Sequence, residues 1–446
     1  MYKNYNKIYF IGIGGIGMSS IALYFINNGK QVAGYDQTIT DLTKKLSNLG
    51  AKIHYDSSLS EIPEEFKNNN EVLIIYTPAI PLSNIELSFF FDNNFTVLKR
   101  SEILGYISQD KFCIAIAGTH GKTTTATILS HILYENNIKF TSFIGGISEN
   151  YDSNFIQNGN DVILVEADEF DRSFLTLNPN ISCITSVDSD HLDVYNSNSE
   201  LQKSFNEFAS KLELNGVLFK HYDVPIDGVS YGFNKNAEYS IINYRNDESS
   251  TFFDIVYEKE NSINVKFNMP GKHNACNALV AFAIGRLLKI NDEQIVNSLN
   301  TFKGVKRRFS YILRSPKILI DDYAHHPNEI KAIYESVKSL YPEKSIMAIF
   351  QPHLYSRTQD FMNQFAQVLS KFDEVTLLDI YPAREEPIKG VNSNKLLNQI
   401  NNINKNLVDK LELKKVVKDS KADVFIIMGA GDISDEVYKI KDVILN

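Results

Sequence analysis

Residues Ala115–Thr125 read AIAGTHGKTTT. An apolar run, Phe112–Ala117, leads into Gly118-Thr119-His120-Gly121-Lys122-Thr123-Thr124, and a segment with helical patterning, Ala126–Tyr134, follows. A strand that turns through glycines into a helix start is an anion site. Backbone N–H groups and the positive end of the helix face phosphate with no side-chain bulk between them. Lys122 is placed to reach the outer phosphates, and the Thr123 hydroxyl to ligate Mg2+. The full phosphate-loop pattern has a glycine six positions before the lysine. Ile116 stands there, so the loop is a contracted GxxGKT form. The candidate nucleoside-triphosphate residues are therefore Gly118, Thr119, His120, Gly121, Lys122, Thr123 and Thr124.

Working outward, apolar runs alternate with amphipathic stretches through most of the chain, the rhythm of an α/β protein with parallel sheets. A first block, 1–110, has strands predicted at Lys7–Ile13, Gln31–Asp36, Lys52–Tyr55, Val72–Tyr76 and Thr96–Lys99, with a helix at Met18–Asn28. A second, 111–314, holds the phosphate loop, strands at Val162–Glu166 and Ile181–Val187, and a polar insertion of shorter strands around Val217–Phe267. A third, 315–446, carries strands at Lys317–Asp322, Ser345–Phe350, Glu374–Asp379 and Asp423–Met428. The joints are short, so the domains are expected to pack together and still move.

The 446 residues suffice for two to four domains with real cores. Forty-five Lys and Arg against 54 Asp and Glu give a net charge of −9, which argues against a general nucleic-acid or acidic-membrane binder. No apolar run approaches the roughly 18 residues of a membrane helix. Residues Met1–Lys7 pass straight into a strand without a signal-peptide core. The three cysteines, Cys113, Cys183 and Cys276, are far apart, which fits a reducing compartment and no zinc site. The expectation is a cytoplasmic protein.

Ile11–Met18 reads IGIGGIGM, and Gly12, Gly14 and Gly17 match GxGxxG between a strand and a helix. With Asp36 at the end of the next strand, the pattern fits a dinucleotide site and an NAD-dependent dehydrogenase. It equally fits any pyrophosphate brought close to a glycine turn. Beside an ATP site, it suggests a ligase acting on a nucleotide-carrying substrate. Thr77, Pro78 and Ala79 end a strand near the same switch point, and Arg100 is either a diphosphate partner or a solvated charge.

Glu166-Ala167-Asp168-Glu169-Phe170-Asp171 closes a strand beside the phosphate loop, where carboxylates hold Mg2+. Four acids in six residues repel one another unless a cation compensates. His191, within Asp188–Asp193, is a second candidate metal ligand or a structural histidine. Asn277, in GKHNACNA at Gly271–Ala278, either reads an adenine edge or caps a helix. Gly304–Phe309, reading GVKRRF, is a phosphate clamp or a basic surface loop. Tyr323 and His325 in DDYAHHP, and Arg357 in QPHLYSR, follow apolar strands and are expected to converge at the edge where sheet ligands sit, with one of Asp321 and Asp322 a candidate for a ribose.

Together these runs resemble the Mur ligase family over essentially the whole chain. The resemblance is carried by GIGGIGMS (Gly12–Ser19), GTHGKTTT (Gly118–Thr125), EADEFDRSFL (Glu166–Leu175), DSDHLD, GKHNACNA, GVKRRF, DDYAHHP, FQPHLYSRT and GAGDI (Gly429–Ile433). It implies three domains: a Rossmann-like N-terminal domain for a UDP moiety, a central phosphate-loop ATPase-like domain, and a C-terminal Rossmann-like α/β domain for an amino acid. ATP and Mg2+ are the implied cofactors, and UDP-N-acetylmuramate and L-alanine the implied partners, in a monomer or weak homodimer. By matching position, Gly12, Gly14, Gly15, Gly17, Met18, Ser19, Asp36, Thr77, Pro78, Ala79 and Arg100 fall at the UDP substrate. Thr123, Glu166 and His191 fall at metal, and Asn277, Arg308 and Asp322 at ATP. Tyr323, His325 and Arg357 fall at the incoming amino acid, with Lys122, Arg308 and His325 as the catalytic candidates. The family chemistry runs through an acyl phosphate, which implies closure of the C-terminal domain before reaction. A recycling ligase that adds a tripeptide to the same sugar nucleotide is the near alternative. Leu354 departs from the pattern, where an arginine is common.

Overall fold

The computed structural model describes residues 2–188, 197–247, 250–258, 261–383 and 385–446. Three sheets organise the chain. The first has five parallel strands, Lys7–Ile11, Gln31–Tyr35, Lys52–His54, Val72–Tyr76 and Thr96–Lys99, in the order third, second, first, fourth, fifth. Strand order reverses at Lys7–Ile11, so the crevice at its carboxyl end, where Gly12 begins, is where such a sheet takes a ligand.

The second sheet has ten strands. Phe112–Ala117 lies at its heart, parallel to Val162–Glu166 on one side and Ile181–Ile184 on the other. Phe140–Ser148 and antiparallel Ser153–Gln157 extend one edge. On the other side follow Val217–His221, Val229–Gly232, Tyr239–Asn246, Thr251–Tyr257 and Asn261–Phe267, the predicted insertion. The third sheet sets Ile318–Asp322, Val424–Met428, Ile346–Phe350, Glu374–Leu377 and Lys405–Leu407 in parallel, with Ser310–Leu313 antiparallel at one edge. The central strands are buried along their whole length, as strands covered by helices on both faces must be.

The chain forms two compact units. One is Met1–Ile242 with Asp254–Val265 and Cys276–Phe302; the other is Asn243–Phe253 with Lys266–Ala275 and Lys303–Asn446. In the first unit the five-stranded sheet shares a core with the part of the ten-stranded sheet around Phe112–Ala117. The Tyr24 ring, on the helix Ile16–Asn27, packs 5.7 Å from Phe143 and 6.5 Å from Phe155. Asn154 donates to the Ser19 hydroxyl at 2.9 Å across the same seam. Each buried aromatic side chain contributes about 1.5–3 kcal/mol, against about 1 kcal/mol for the polar link, so packing holds the seam. In the second unit the helix Pro327–Leu340 buries Ile330, Ile333, Val337 and Leu340, one stripe at helical spacing, beneath the sheet.

Two predicted elements are corrected. The helix after the phosphate loop spans Lys122–Glu135, four residues earlier than its apolar pattern, because Gly121 in a left-handed conformation (φ 84°) starts it. The strand predicted to reach Val187 ends at Ile184, because Thr185 and Ser186 turn to bond the phosphate loop.

Candidate active site

The phosphate loop is built from its glycines. Gly118 has φ 128°, and a Cβ there would lie 2.1 Å from the Thr185 hydroxyl. Ser186 holds the loop from its other side. Its carbonyl accepts from Thr119 N–H at 3.0 Å, and its hydroxyl accepts from His120 N–H at 2.9 Å. No side chain caps the helix Lys122–Glu135, which leaves its first-turn N–H groups as the donors an anion takes. Asn277 stands over the turn. Its Oδ1 accepts from Thr125 at 3.2 Å and would lie 2.7 Å from a Cβ on Gly121.

The acidic run is compensated residue by residue. Lys122 donates to the Gly118 carbonyl and to Glu169, whose carboxylate is fully buried 2.8 Å from the ammonium. Burial works against the Lys122 charge, but Glu169, then Asp168 and Glu166, outweigh it and raise its pKa. Arg100 pairs with Asp168 at 3.3 Å, and Lys99 with Asp171 at 3.4 Å. Glu166 accepts from the Thr123 hydroxyl at 2.7 Å and from Gly145 N–H at 2.6 Å. Among the described residues no three His, Cys, Asp or Glu side chains form a metal cage. A hydroxyl beside a carboxylate nevertheless suits Mg2+, which takes one or two protein oxygens together with phosphate and water. His191, with Asp190 and Asp193, lies outside the described residues.

The second glycine loop gathers at the end of Lys7–Ile11. Gly12 has φ 86°, and a Cβ on it would meet Thr77 at 2.9 Å. Asp36 accepts from Gly14 N–H at 2.7 Å. Gly15 starts the helix Ile16–Asn27 without a side-chain cap, and a Cβ on Gly17 would lie 2.7 Å from the Arg100 guanidinium. Gly12, Gly14, Gly17, Asp36, Thr77 and Arg100 thus share one edge, with Pro78 and Ala79 exposed beside Thr77. Met18 and Ser19, expected at the same ligand, are instead buried in the core, where Ser19 N–H bonds the Gly15 carbonyl at 2.8 Å and its hydroxyl accepts from Asn154.

In the second unit, Asp322 ends the strand Ile318–Asp322 and accepts from Phe309 N–H and Ala324 N–H, both at 2.7 Å. Burial raises its carboxyl to about 7, with Arg308 pulling the other way. The Arg307 and Arg308 guanidiniums lie 5.1 and 5.0 Å from the centre of the Tyr323 ring. Tyr323 meets the His325 ring at 5.2 Å, His325 meets His353 at 6.1 Å, and Arg357 approaches His353 Nδ1 at 3.5 Å. His353 in turn stacks on Tyr381. Tyr323, His325 and Arg357 therefore belong to one cluster, as the sequence predicts. Leu354, buried at φ 72°, opens the helix Tyr355–Asp360 that carries Arg357.

Four contributors escaped sequence reasoning: Glu169 as the Lys122 partner, Thr185 and Ser186 as the loop's brace, and Tyr381 as the floor under His353. The need for a cation in the acidic run was the one signal in advance. It did not say which acid pairs with which base.

Comparison with known proteins shows the family. Residues 7–112 match the model described as "Mur ligase family, catalytic domain", 116–285 the "Mur ligase middle domain", and 307–431 the "Mur ligase, glutamate ligase domain". A UDP-N-acetylmuramate–L-alanine ligase of Christiangramia forsetii is 50% identical, covering 100% of this chain and 99% of its own. A ligase of the same description from Flavobacterium psychrophilum is 51% identical, covering 98% and 97%. The crystal structure of a UDP-N-acetylmuramate–alanine ligase from Thermotoga maritima superposes with a TM-score of 0.84 at 28% identity, covering 98% of each chain. With three family domains in order and relatives at half identity along its whole length, this chain belongs to the Mur ligase family.

Proposed function

We propose that this chain joins L-alanine to UDP-N-acetylmuramate with cleavage of ATP, in the making of a peptidoglycan precursor. The observation that carries the reading is the phosphate loop with Lys122 on Glu169 and Thr123 on Glu166, in a chain half identical to alanine ligases from end to end.

The reaction brings two anions together. A carboxylate oxygen of the sugar nucleotide attacks the γ-phosphorus, the bond to the bridging oxygen breaks, and ADP leaves. The alanine nitrogen then attacks the acyl carbon, the bond to phosphate breaks, and one proton leaves the nitrogen. Lys122 screens the triphosphate, and the helix N-terminus adds fixed N–H donors. Mg2+, which Thr123 and Glu166 would hold, supplies further neutralisation of the phosphate charge. We assign Arg308 to the γ-phosphate, Asp322 to the ATP ribose, and Asn277 to adenine. Tyr323, His325 and Arg357 receive the amino acid, and His325 is the candidate proton acceptor. The glycine loop with Asp36, Thr77 and Arg100 takes the UDP group. The family assignment sets aside the dehydrogenase reading, since a GxGxxG turn serves any pyrophosphate. Among the described residues no helix is long and apolar enough to cross a membrane, and we place the enzyme in the cytoplasm as a monomer or weak homodimer.

The test is phosphate release from the purified protein with ATP, Mg2+ and UDP-N-acetylmuramate, with and without amino acids. Release that requires L-alanine is expected. Release with a tripeptide but not with alanine would instead support the recycling ligase.

A further inference from the structure

Inside the apolar core of the first sheet sits a polar triad with no part in the chemistry above. Tyr9, fully buried on the central strand, places its hydroxyl 2.6 Å from Glu86 Oε2 and 2.6 Å from His54 Nε2. Glu86 is fully buried in the first turn of the helix Ile85–Asp92, where Asn84 caps the N–H groups of Glu86 and Leu87. Phe66 and Phe90 close over the Tyr9 ring at 6.0 and 5.0 Å. A carboxyl, a phenol and an imidazole in such a place carry a desolvation cost unless every hydrogen is matched to an acceptor.

The matching fixes the proton count. His54 Nδ1 lies 2.9 Å from the Asp56 carbonyl, which only accepts, so Nδ1 carries a hydrogen. Two arrangements then satisfy both 2.6 Å bonds. Either Tyr9 donates to the Glu86 carboxylate and an imidazolium donates to Tyr9, or the Glu86 carboxylic acid donates to Tyr9 and Tyr9 donates to neutral His54. Both hold one proton between Glu86 and His54. Removing it leaves two acceptors competing for a single phenolic hydrogen. Asp56 also acts on Glu86, raising its carboxyl, while the Ser58 backbone N–H favours the carboxylate; the Tyr35 ring faces His54 at 5.7 Å, and His54 Nε2 stands 3.7 Å from Glu86 Oε1. Burial is the largest influence on Glu86 and raises its carboxyl to about 7.

The triad is tied to the substrate loop. His54 ends the strand Lys52–His54, and its carbonyl accepts from Asp36 N–H at 3.2 Å. The Asp36 carboxylate in turn accepts from Gly14 N–H at 2.7 Å. We propose that Tyr9, His54 and Glu86 are positioning residues that share one proton and, through the strand carrying His54, hold Asp36 and the Gly12–Gly17 loop in register for the UDP-sugar. This rests on the reading of that loop as the UDP site.

The experiment is calorimetric binding of UDP-N-acetylmuramate between pH 6 and 9 to the full-length protein and to Glu86→Gln, Tyr9→Phe and Asp36→Asn. A non-hydrolysable ATP analogue, bound at the other loop, reports that each variant is folded. Wild-type affinity should fall above pH 7, as the shared proton is lost. A glutamine mimics the protonated carboxyl and cannot lose that proton. Glu86→Gln should therefore bind as wild type does at pH 6 and keep that affinity at pH 9. Tyr9→Phe removes both bonds and should bind about fivefold or more weakly throughout, the worth of about one hydrogen bond. A wild-type pH dependence retained in Glu86→Gln, or wild-type affinity in Tyr9→Phe, overturns the triad while leaving the UDP site intact if Asp36→Asn is weakened. Undiminished binding by Asp36→Asn overturns the reading of the loop itself, and the proposal with it.

Discussion

Lys122 is the residue on which the electrostatics turn. Its ammonium is buried against a fully buried Glu169, and that carboxylate offsets the cost of desolvation. The pair keeps the lysine charged before any phosphate arrives, so the site is preorganised instead of assembled by the substrate. Lys122→Ala is expected to lower kcat/KM by about 10²–10³-fold or more, the usual loss for one preorganised donor. Glu169→Gln should act more gently and differently. It removes the largest attraction that raises the Lys122 pKa, so the lysine loses its proton at lower pH. The alkaline limb of the rate profile, where activity falls as the ammonium deprotonates, should move toward neutrality. Steady-state kinetics against pH read both, and an undiminished rate for Lys122→Ala would contradict the role given to it.

At the scale of elements, the site depends on how three neighbouring strands end. Phe112–Ala117 delivers the phosphate loop, Val162–Glu166 delivers the acid run, and Phe140–Ser148 brings Gly145 against the Glu166 carboxylate. A Cβ on Gly145 would lie 2.6 and 2.7 Å from the two carboxylate oxygens, closer than atoms pack. Gly145→Ala must therefore push Glu166 away from the Thr123 hydroxyl while leaving the loop glycines untouched. The expected result is an increase of about tenfold in the Mg2+ concentration for half-maximal rate, with the melting temperature nearly unchanged. Titration of activity with Mg2+ and a thermal melt check this. Normal Mg2+ dependence would show that the metal does not need the Glu166 carboxylate where the bare Gly145 backbone lets it stand.

At the scale of the molecule, what could be read in the sequence follows burial. Val72–Tyr76, Phe112–Ala117 and Val162–Glu166 have the limits their apolar runs predict, because strands covered on both faces write themselves as continuous hydrophobic stretches. Phe140–Ser148 and Ser153–Gln157 were not legible, since Thr141, Ser142, Gly145 and Gly146 interrupt any such run. Motif residues close in sequence, such as Gly118 to Thr124, declared their chemistry. Pairings across long separations did not: Lys122 with Glu169 is 47 residues apart and Tyr9 with Glu86 is 77. Chemical type there says only that a partner is needed, and the fold chooses which. The account as a whole rests on the strand–loop–helix of the middle domain being where ATP presents its γ-phosphate. The most direct measurement is a crystal structure with Mg2+ and a non-hydrolysable ATP analogue. We predict the terminal phosphoryl group about 3 Å from the Lys122 ammonium, with the metal on Thr123 and Glu166. A terminal phosphoryl group bound away from both Lys122 and Glu166 would contradict it.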